Sequence, residues 1–497
     1  MTRVALGKNI AANYVGRIWS IASIYLFVPV YLRLLGVEAF GIINFQAVIL
    51  GVVFFADAGL ASAMMREMAR TTDRDYLTDL LTSTERVYIC ICISVAVMIV
   101  ALSNVLASGW LQSGSISDAE LSRYIKYIGV TVGLQFSTSL YHGVLMGLQR
   151  QGLANALQVG FGIARSALVI IPLLLAPTLD VFLAWQFGAT LVFVIVQRHV
   201  AWWALAPKRA GRFDKTLLIS IAPFSIGMMA ISMISGINTQ LDKLLTSKLL
   251  PLVDYAHYAL ASIIAQAPVI VTLPIALAVL PRLTGLAESG GTSGLTAIYH
   301  RYSYIIASLA ASVGAMIFVL APELTTLWIG QREAAVTVPV TRILVVGGIL
   351  LALQLMPYHL ALAHGHNRTN VRLGLASLCV TVPLMIVLTG RFGLVGAALP
   401  WLLTNMVAFL ILGVFLTRRF LPGEVRRWFG ADVGIPVALG LAGAGLVALA
   451  KPLFVNDLVG LAVGVIVGIA TLGACGLMLR CMDRPHADSP SLGRPYN

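Results

Sequence analysis

Long runs without a charged residue dominate this sequence and limit the structures that it can form. Eleven runs of at least eighteen residues contain no Asp, Glu, Lys or Arg. About 20 mostly apolar residues are enough for one helix to cross a bilayer. The runs are 39–56, 87–117, 127–149, 216–241, 255–281, 302–322, 343–367, 373–390, 392–417, 433–450 and 458–479. Three further stretches, 10–35, 151–179 and 181–197, are slightly short or interrupted by arginine: Arg17 interrupts the first, with Arg33 near its end, and Arg165 interrupts the second. The sequence therefore predicts about fourteen transmembrane helices.

Composition supports the same class. The chain is 59% apolar and 11% charged, whereas soluble domains are about 45–50% apolar and about 25% charged. A soluble fold of this size has too few polar residues here to cover its surface. We therefore expect an all-α polytopic membrane protein and exclude a soluble enzyme, a disordered chain and a nucleic-acid-binding domain. The five cysteines are too few and too scattered for a disulfide framework.

The basic residues predict the orientation of the chain in the membrane. When Lys and Arg are assigned to alternate sides of fourteen spans, 23 lie on the side of the termini, nine on the other side and two inside spans. Because basic residues concentrate in cytoplasmic loops, we expect both termini in the cytoplasm. The basic residues of these cytoplasmic loops account for the net charge of +13, so the charge does not require nucleic acid as a partner. No cleavable signal peptide is expected, because Arg17 interrupts the first apolar stretch.

The sequence contains an internal repeat with an offset of about six spans. Leu34-Leu35-Gly36 and Leu249-Leu250-Pro251 are similar at an offset of 215 residues. In a second pair, Tyr141, His142 and Leu145 recur as Tyr358, His359 and Leu362 at an offset of 217 residues. Gly147, Arg150 and Asn155 recur as Gly365, Arg368 and Asn370 at offsets of 218, 218 and 215. An even number of spans gives both copies the same orientation, so we expect a pseudo-twofold axis along the membrane normal.

This repeat predicts the domain organisation. We expect two six-helix lobes, at 1–205 and 206–420, two additional transmembrane helices at 421–480 and a cytoplasmic tail at 481–497. Glycine ladders in the last two spans are typical of close helix packing. Two similar lobes around a central site are typical of transporters that work by alternating access.

Three ionisable residues fall inside predicted spans, where a charge is unfavourable and usually faces the protein interior or a cavity. Arg17 and Asp57 each lie about 10 Å from the cytoplasmic end of their spans at 1.5 Å per residue. They form either a static ion pair or a pair of cavity charges that substrate or protons compete for. Arg165 lies near the middle of the fifth span without an obvious partner, which favours contact with an anion or with backbone carbonyls.

Other polar residues are candidates for the cavity or its gates. His142 and His359 occupy equivalent places in the two copies of the repeat and are either interfacial or cavity residues. Gln240, Asp242 and Lys243 end the seventh span, where a capping or gating pair is expected. The sequence contains no nucleotide-binding, metal-binding or catalytic motif. We therefore expect neither enzymatic activity nor a metal or other cofactor.

Several motifs occur in a characteristic order along nearly the whole chain. They are FVPVYLRLLGVEAFGIINF (Phe27–Phe45), DAGL (Asp57–Leu60), REMAR (Arg66–Arg70), GVLMGLQRQGLAN (Gly143–Asn155), TQLDKLL (Thr239–Leu245) and GLVGAALPWLL (Gly393–Leu403). In this order the chain resembles the polysaccharide transporter family. That family includes the O-antigen and exopolysaccharide flippases of the multidrug/oligosaccharidyl-lipid/polysaccharide flippase superfamily.

The resemblance implies a flippase of the bacterial inner membrane. Such a protein moves an oligosaccharide unit on an undecaprenyl pyrophosphate carrier to the periplasmic leaflet by alternating access, for lipopolysaccharide or exopolysaccharide synthesis. It also implies membrane lipid, a polysaccharide polymerase and a chain-length regulator as partners. Arg17 corresponds by position to the cavity arginine of the family. The eighth span, 255–281, lacks the central basic residue of some relatives and has only Arg282 at its edge, so the charge of the cargo stays open.

Three alternatives remain at this point. A multidrug or cation antiporter of the same superfamily would be expected to have paired intramembrane acids, whereas Asp57 is the only acid well inside a predicted span. A membrane-embedded glycosyltransferase or polymerase would need larger periplasmic loops. A non-transporting scaffold of a polysaccharide assembly complex is the third alternative.

Overall fold

The computed structural model describes Trp19, residues 22–365 and residues 367–482, and these residues are almost entirely helical. The first helices are α1 (Ala22–Leu35), α2 (Val37–Arg70), α3 (Arg74–Gly109), α4 (Asp118–Phe136), α5 (Thr138–Gly147), α6 (Gln151–Ser166), α7 (Ile170–Leu175), α8 (Leu179–Leu205), α9 (Lys215–Leu249) and α10 (Leu252–Ala265). They are followed by α11 (Ala267–Glu288), α12 (Thr292–Val319), α13 (Ala321–Ile329), α14 (Gln331–Leu353), α15 (Leu355–Ala363), α16 (Asn367–Phe420), α17 (Val425–Arg427), a π-helical segment (Trp428–Gly434), α18 (Ile435–Ala450) and α19 (Asp457–Met482).

The helices have the lengths and compositions of membrane spans. Within the described residues, ten helical segments are long and apolar enough to cross a bilayer, and three shorter apolar helices accompany them. Each predicted span contains helix among its described residues, but the run 87–117 extends past the end of α3 at Gly109 into a loop. Large apolar side chains also point outward, such as Leu175 and Leu449, which are 85% and 79% exposed. Such a surface is favourable in lipid and unfavourable in water, and the prediction of an all-α polytopic membrane protein is confirmed.

Several helices extend beyond the charge-free runs that predict them. The basic stretch 66–86, between the runs 39–56 and 87–117, is mostly helical, because α2 continues to Arg70 and α3 begins at Arg74. The carboxylate of Asp73 caps α3 by accepting hydrogen bonds from the backbone N–H groups of Asp75 and Tyr76, at 3.0 and 3.2 Å. A charge-free run marks the part of a helix that lies in hydrocarbon, and the charged ends continue the helix into the polar interface.

The predicted spans 373–390 and 392–417 are two helices that follow one another within α16 and meet at a kink. The element bends at Gly393, whose φ of +56° and ψ of −134° are not helical. A positive φ favours glycine because a side chain would be strained there. Pro383 and Pro400 also lie inside α16, and the backbone departs from helical geometry at Gly393, between them.

The chain divides into two compact units, 1–259 and 260–497. In the first unit α2 is central and packs against α5 and α9. Glycines allow the close approach of α9, since a Cβ at Gly59 would lie 2.1 Å from the carbonyl oxygen of Ser225. In the second unit α12 packs against α11, α14 and α18. There a Cβ at Gly464 would lie 2.1 Å from Leu320 Cδ1, so glycine in α19 does serve close packing.

The internal repeat has a counterpart in the backbone. The helix pair α4 and α5 is broken at Ser137, and the pair α14 and α15 is broken at Gln354. These breaks are separated by 217 residues, the offset of the second sequence repeat. The lobe boundaries at 205 and 420 and the pseudo-twofold axis stay predictions. Residues 483–497 of the predicted tail lie outside the described residues.

Candidate functional site

The fifth predicted span is broken near its middle, between α6 and α7. The backbone N–H groups of Leu168 and Ile170 bond to Ile163 and Ala167, at 3.1 Å each, instead of to the carbonyls four residues earlier. Pro172 contributes to the break because it has no N–H to offer the carbonyl of Leu168. Backbone carbonyls at such a break need other donors, because hydrocarbon supplies none.

Side chains of α1 and α8 provide these donors. Three consecutive carbonyls of α6 accept a hydrogen bond from a side chain: Ala164 from Trp185 Nε1 at 2.9 Å, Arg165 from Gln186 Nε2 at 3.0 Å, and Ser166 from Tyr31 Oη at 2.6 Å. The break is therefore a stable feature of the first unit, because its polar groups are satisfied within the protein.

Arg165 lies at this break, near the end of α6. Its Nε donates to Oε1 of Gln186 at 2.7 Å, so the arginine and the buried glutamine bond to each other in both directions. No described residue accepts a hydrogen bond from its two Nη groups. No pattern in the sequence pairs Arg165 with Gln186, which lies 21 residues further along the chain on another helix.

Asp57 lies on α2 and is 3% exposed. Its two carboxylate oxygens accept hydrogen bonds from the hydroxyls of Tyr88 on α3 and Ser139 on α5. Within the described residues Asp57 has no ion pair. Its expected partner, Arg17, lies outside the described residues, and the pair stays a prediction.

A second buried carboxylate, that of Glu85, lies one turn before Tyr88 on α3. Glu85 pairs with Arg198 of α8 through Nε at 2.7 Å and Nη2 at 3.1 Å. Tyr141 Oη and Trp202 Nε1 also donate to it, at 2.7 and 3.3 Å. Glu85 and Arg198 lie just outside the predicted spans 87–117 and 181–197. On α8, Trp202 lies four residues after Arg198, and on α3, Tyr88 lies three residues after Glu85. Residues at these spacings share one face of a helix.

The two equivalent histidines have different surroundings. His359 is 2% exposed, and its Nδ1 lies 2.7 Å from the carbonyl oxygen of Leu355. The Nδ1 of His142 is buried and has no hydrogen-bond partner among the described residues. His142 is next in sequence to Tyr141, which donates to Glu85, and its Nδ1 has no partner among the described residues. His359 instead bonds to a backbone carbonyl of its own helix.

The predicted gate residues lie at the end of α9. Lys243 Nζ pairs with Asp242 at 3.2 Å, and Tyr258 of α10 donates to Asp242 at 3.1 Å. Gln240 lies against α2, since a Cβ at Gly51 would be 2.9 Å from its Nε2. Arg282 is exposed and makes no hydrogen bond or ion pair that joins it to a described residue.

The loop between α3 and α4 connects the end of α9 and the start of α10 to α2. Trp110 Nε1 donates to Ser247 Oγ at 3.0 Å, and Lys248 Nζ lies 4.8 Å from the centre of the Trp110 ring. Two residues on, the Gln112 carbonyl accepts from the backbone N–H of Leu252 at 2.7 Å. Glu38 at the start of α2 accepts hydrogen bonds from the loop, namely from Ser113 Oγ and Gly114 N at 2.7 Å, Ser115 N at 3.3 Å and Ser115 Oγ. The sequence predicts residues 110–115 as the end of the span 87–117, because none of them is charged. That prediction is wrong, since α3 ends at Gly109 and these residues form a loop, the clasp.

The described residues contain no cluster of His, Cys, Asp and Glu that would hold a metal ion. What the first unit does contain is a half-buried arginine whose Nη groups have no acceptor among the described residues, a carboxylate bound by hydroxyls and the clasp against the end of α9. These groups are suited to binding and moving a polar ligand through a membrane rather than to covalent chemistry.

Comparison with known proteins agrees with this description. A family model described as polysaccharide biosynthesis protein matches residues 6–286, which is more than half of the chain. A proposed O-antigen transporter of Shigella flexneri is 20% identical over 392 residues, which cover 78% of this chain and 91% of the relative.

Two solved structures share the fold. The lipid II flippase MurJ in an inward closed conformation has a TM-score of 0.75 and 14% identity, with 96% of this chain and 99% of that chain covered. A multidrug resistance transporter of the MATE family in the MOP superfamily, in an inward-facing conformation, has a TM-score of 0.68 and 14% identity, with 83% and 96% covered. The chain is thus a multi-pass membrane protein with the fold of MOP-superfamily flippases and transporters, and it belongs to the polysaccharide biosynthesis protein family.

Proposed function

We propose that the protein is a flippase for a lipid-linked oligosaccharide. The unit would be carried on undecaprenyl pyrophosphate and moved across the bacterial inner membrane by alternating access, for the synthesis of cell-surface or exported polysaccharide. Family membership and the O-antigen transporter relative support the class of substrate. The fold shared with a lipid II flippase supports movement of a lipid-linked sugar.

The observation that carries the proposal is the broken span with Arg165 at its centre. Discontinuous helices commonly form the substrate sites of transporters, because the break brings polar groups to mid-membrane depth. Here the break is stabilised by Tyr31, Trp185 and Gln186, so the arginine has a fixed position.

The chemistry of Arg165 fits a phosphate-bearing headgroup. Gln186 uses the Nε donor and leaves the two Nη groups for a ligand. A guanidinium binds phosphate through paired N–H donors and stays charged when partly buried. In this proposal Arg165 binds the pyrophosphate while the oligosaccharide crosses, and Asp57, His142 and His359 are proposed as further substrate-cavity residues. Arg17 is proposed as a second cationic contact, and Gln240, Asp242, Lys243 and Arg282 as gate residues.

The proposal also covers location and partners. Both termini would lie in the cytoplasm, because the predicted topology places most basic residues on their side. A polysaccharide polymerase and a chain-length regulator would receive the flipped unit.

The proposal is tested by complementation of a strain that lacks the gene. We expect Arg165→Ala to lower surface polysaccharide strongly at unchanged protein abundance, because the headgroup loses its charged contact. Arg165→Lys keeps the charge without the paired donors and is expected to give a partial defect. Arg391→Ala, which removes an exposed arginine at the bend of α16, is the matched control and should behave as wild type. Full restoration by Arg165→Ala would contradict the role of Arg165, and normal polysaccharide in the strain without the gene would contradict the flippase itself.

A further inference from the structure

A cavity lies along one face of α16 near the end of that helix. Its volume is about 710 Å³, and the described residues that line it are Leu410, Ile411, Val414, Phe415, Arg418 and Arg419. These residues recur at a spacing of four, so they share one face of the helix. The wall of the cavity is therefore apolar toward the middle of α16 and cationic toward its end.

The apolar part of this wall is not covered by the rest of the protein. Leu410, Ile411 and Phe415 are each about half exposed, and such side chains are favourable in lipid and unfavourable in water. Arg418 lies eight residues beyond Leu410, which is about 12 Å along the helix at 1.5 Å per residue. The cavity thus combines hydrocarbon contact with a charged end, which suits a ligand that has an apolar chain and an anionic head.

The positive charge at the end of the cavity is not neutralised by acids of the same segment. α16 contains no Asp or Glu, and the first acids after it are Glu424 and Asp432. Both carboxylates bond to His300 of α12, Glu424 to its Nε2 at 3.0 Å and Asp432 to its Nδ1. Arg418 makes no hydrogen bond or ion pair that joins it to a described residue. Its guanidinium group is therefore available to an anion.

The connector that follows α16 (residues 421–434) adds two exposed arginines, Arg426 and Arg427. The connector is anchored by Trp428, which is fully buried and lies 5.4 Å from Phe409 between ring centres. Glycine at position 413 permits this packing, since a Cβ at Gly413 would lie 2.3 Å from Trp428 Cζ3. Four arginines thus fall within ten residues at the end of a membrane helix, a pattern typical of binding to anionic lipid headgroups.

We propose that this cavity binds an anionic phospholipid of the bilayer. The phosphate of the headgroup accepts hydrogen bonds from Arg418 and Arg419, whose paired N–H donors match phosphate oxygens. An acyl chain lies against the four apolar side chains of the wall, which face the bilayer and are reached by bulk lipid directly. The site differs from the proposed pyrophosphate contact, because Arg165 belongs to the first compact unit and α16 to the second. Lipid binding here does not depend on the proposed transport function.

Native mass spectrometry of the purified full-length protein tests the proposal. The protein is titrated with phosphatidylglycerol and with phosphatidylcholine that carry identical acyl chains. We expect phosphatidylglycerol to bind wild type more tightly, and the double variant Arg418→Gln/Arg419→Gln to weaken its tightest binding by about tenfold or more. The double variant Arg391→Gln/Arg480→Gln removes two exposed arginines elsewhere. It is the matched control and should bind phosphatidylglycerol as wild type does.

Two results of these titrations would overturn the proposal. They are equal binding of the two lipids to wild type, and an equal loss of phosphatidylglycerol binding in the two double variants.

Competition identifies the source of the bound phosphate. Glycerol phosphate, which lacks acyl chains, should not displace phosphatidylglycerol, because the apolar wall contributes to binding. Displacement by glycerol phosphate at a similar concentration would overturn a lipid as the ligand. Undecaprenyl pyrophosphate should compete no better than phosphatidylglycerol. If it competes at a far lower concentration, the cavity belongs to the carrier of the proposed substrate and the assignment to a phospholipid is wrong.

Discussion

Glu85 illustrates how a single buried residue joins several helices. Its carboxylate accepts hydrogen bonds from Tyr141 of α5 and from Arg198 and Trp202 of α8. The side chain of Arg198 is 54% exposed, so water would solvate this arginine if Glu85 were lost. The tyrosine hydroxyl lies deeper and would lose its acceptor.

The stability of the first unit should therefore depend on Glu85. We expect Glu85→Ala to lower stability by about 1–3 kcal/mol, mostly because Tyr141 and Trp202 are left unsatisfied. The midpoint of thermal unfolding of the detergent-purified protein measures this effect. Asp118→Ala, at the exposed start of α4, is the control and should leave the midpoint nearly unchanged. Equal midpoints for the two variants would contradict this account of the cluster.

The candidate site could be predicted from the sequence only in part. Asp57 and Arg165 stand out because charges are rare inside apolar runs. Their partners could not be predicted, since Ser139 is 82 residues from Asp57 and which residues meet depends on the rotation of each helix about its axis. The clasp of residues 110–115 was missed for a related reason, because serine, glutamine and tryptophan in a short loop have many alternative uses.

At the scale of an element, the break between α6 and α7 is the feature that positions the candidate site. It depends on side chains of two other helices, because the backbone alone leaves carbonyls without donors. Pro172 and the charge of Arg165 are visible in the sequence, but the donors Tyr31, Trp185 and Gln186 are apparent only once the helices are assembled.

Removal of one donor should loosen this break. Tyr31→Phe deletes only the hydroxyl that bonds to the Ser166 carbonyl, which we expect to cost about 1 kcal/mol. Hydrogen exchange of the amides of residues 167–171 should become faster as a result. Tyr127→Phe, which removes a more exposed hydroxyl of α4, should leave those amides unchanged. Unaltered exchange in Tyr31→Phe would mean that the tyrosine does not stabilise the break.

The clasp is a second element whose contribution is measurable. Trp110→Ala removes both the hydrogen bond to Ser247 and the ring beneath Lys248. We expect faster hydrogen exchange in residues 111–116 and at the end of α9. Trp203→Ala, which removes a tryptophan that is 64% exposed, is the control. If exchange in the clasp is the same in both variants, Trp110 does not hold the loop.

At the scale of the whole molecule, the bilayer makes the fold predictable. A span needs a fixed length of apolar helix, so charge-free runs indicate where the helices lie. They do not indicate where helices end, as α2, α3 and α8 show. The two compact units divide after Ala259, and the predicted lobes divide at 205. The first boundary describes which helices pack together, whereas the second describes which spans repeat in the sequence, so the two need not coincide.

The predicted topology has its own test. In a variant without native cysteines, we expect a single cysteine in place of Ala210 to react only with a reagent that reaches the cytoplasm. A cysteine in place of Gly114 should react with a membrane-impermeant reagent added to intact cells after the outer membrane is permeabilised. The opposite pattern of labelling would reverse the orientation and contradict cytoplasmic termini.

The central claim is that this chain moves a lipid-linked oligosaccharide across a bilayer, and the most direct test is a flipping measurement. Purified protein is reconstituted into liposomes that contain a fluorescent undecaprenyl pyrophosphate oligosaccharide, and an enzyme or quencher outside reports the lipid in the outer leaflet. We predict that the inner pool becomes accessible much faster with wild type than in protein-free liposomes, and that Arg165→Ala is slow while Arg391→Ala is not. Wild-type liposomes that expose the lipid no faster than protein-free liposomes would contradict the account.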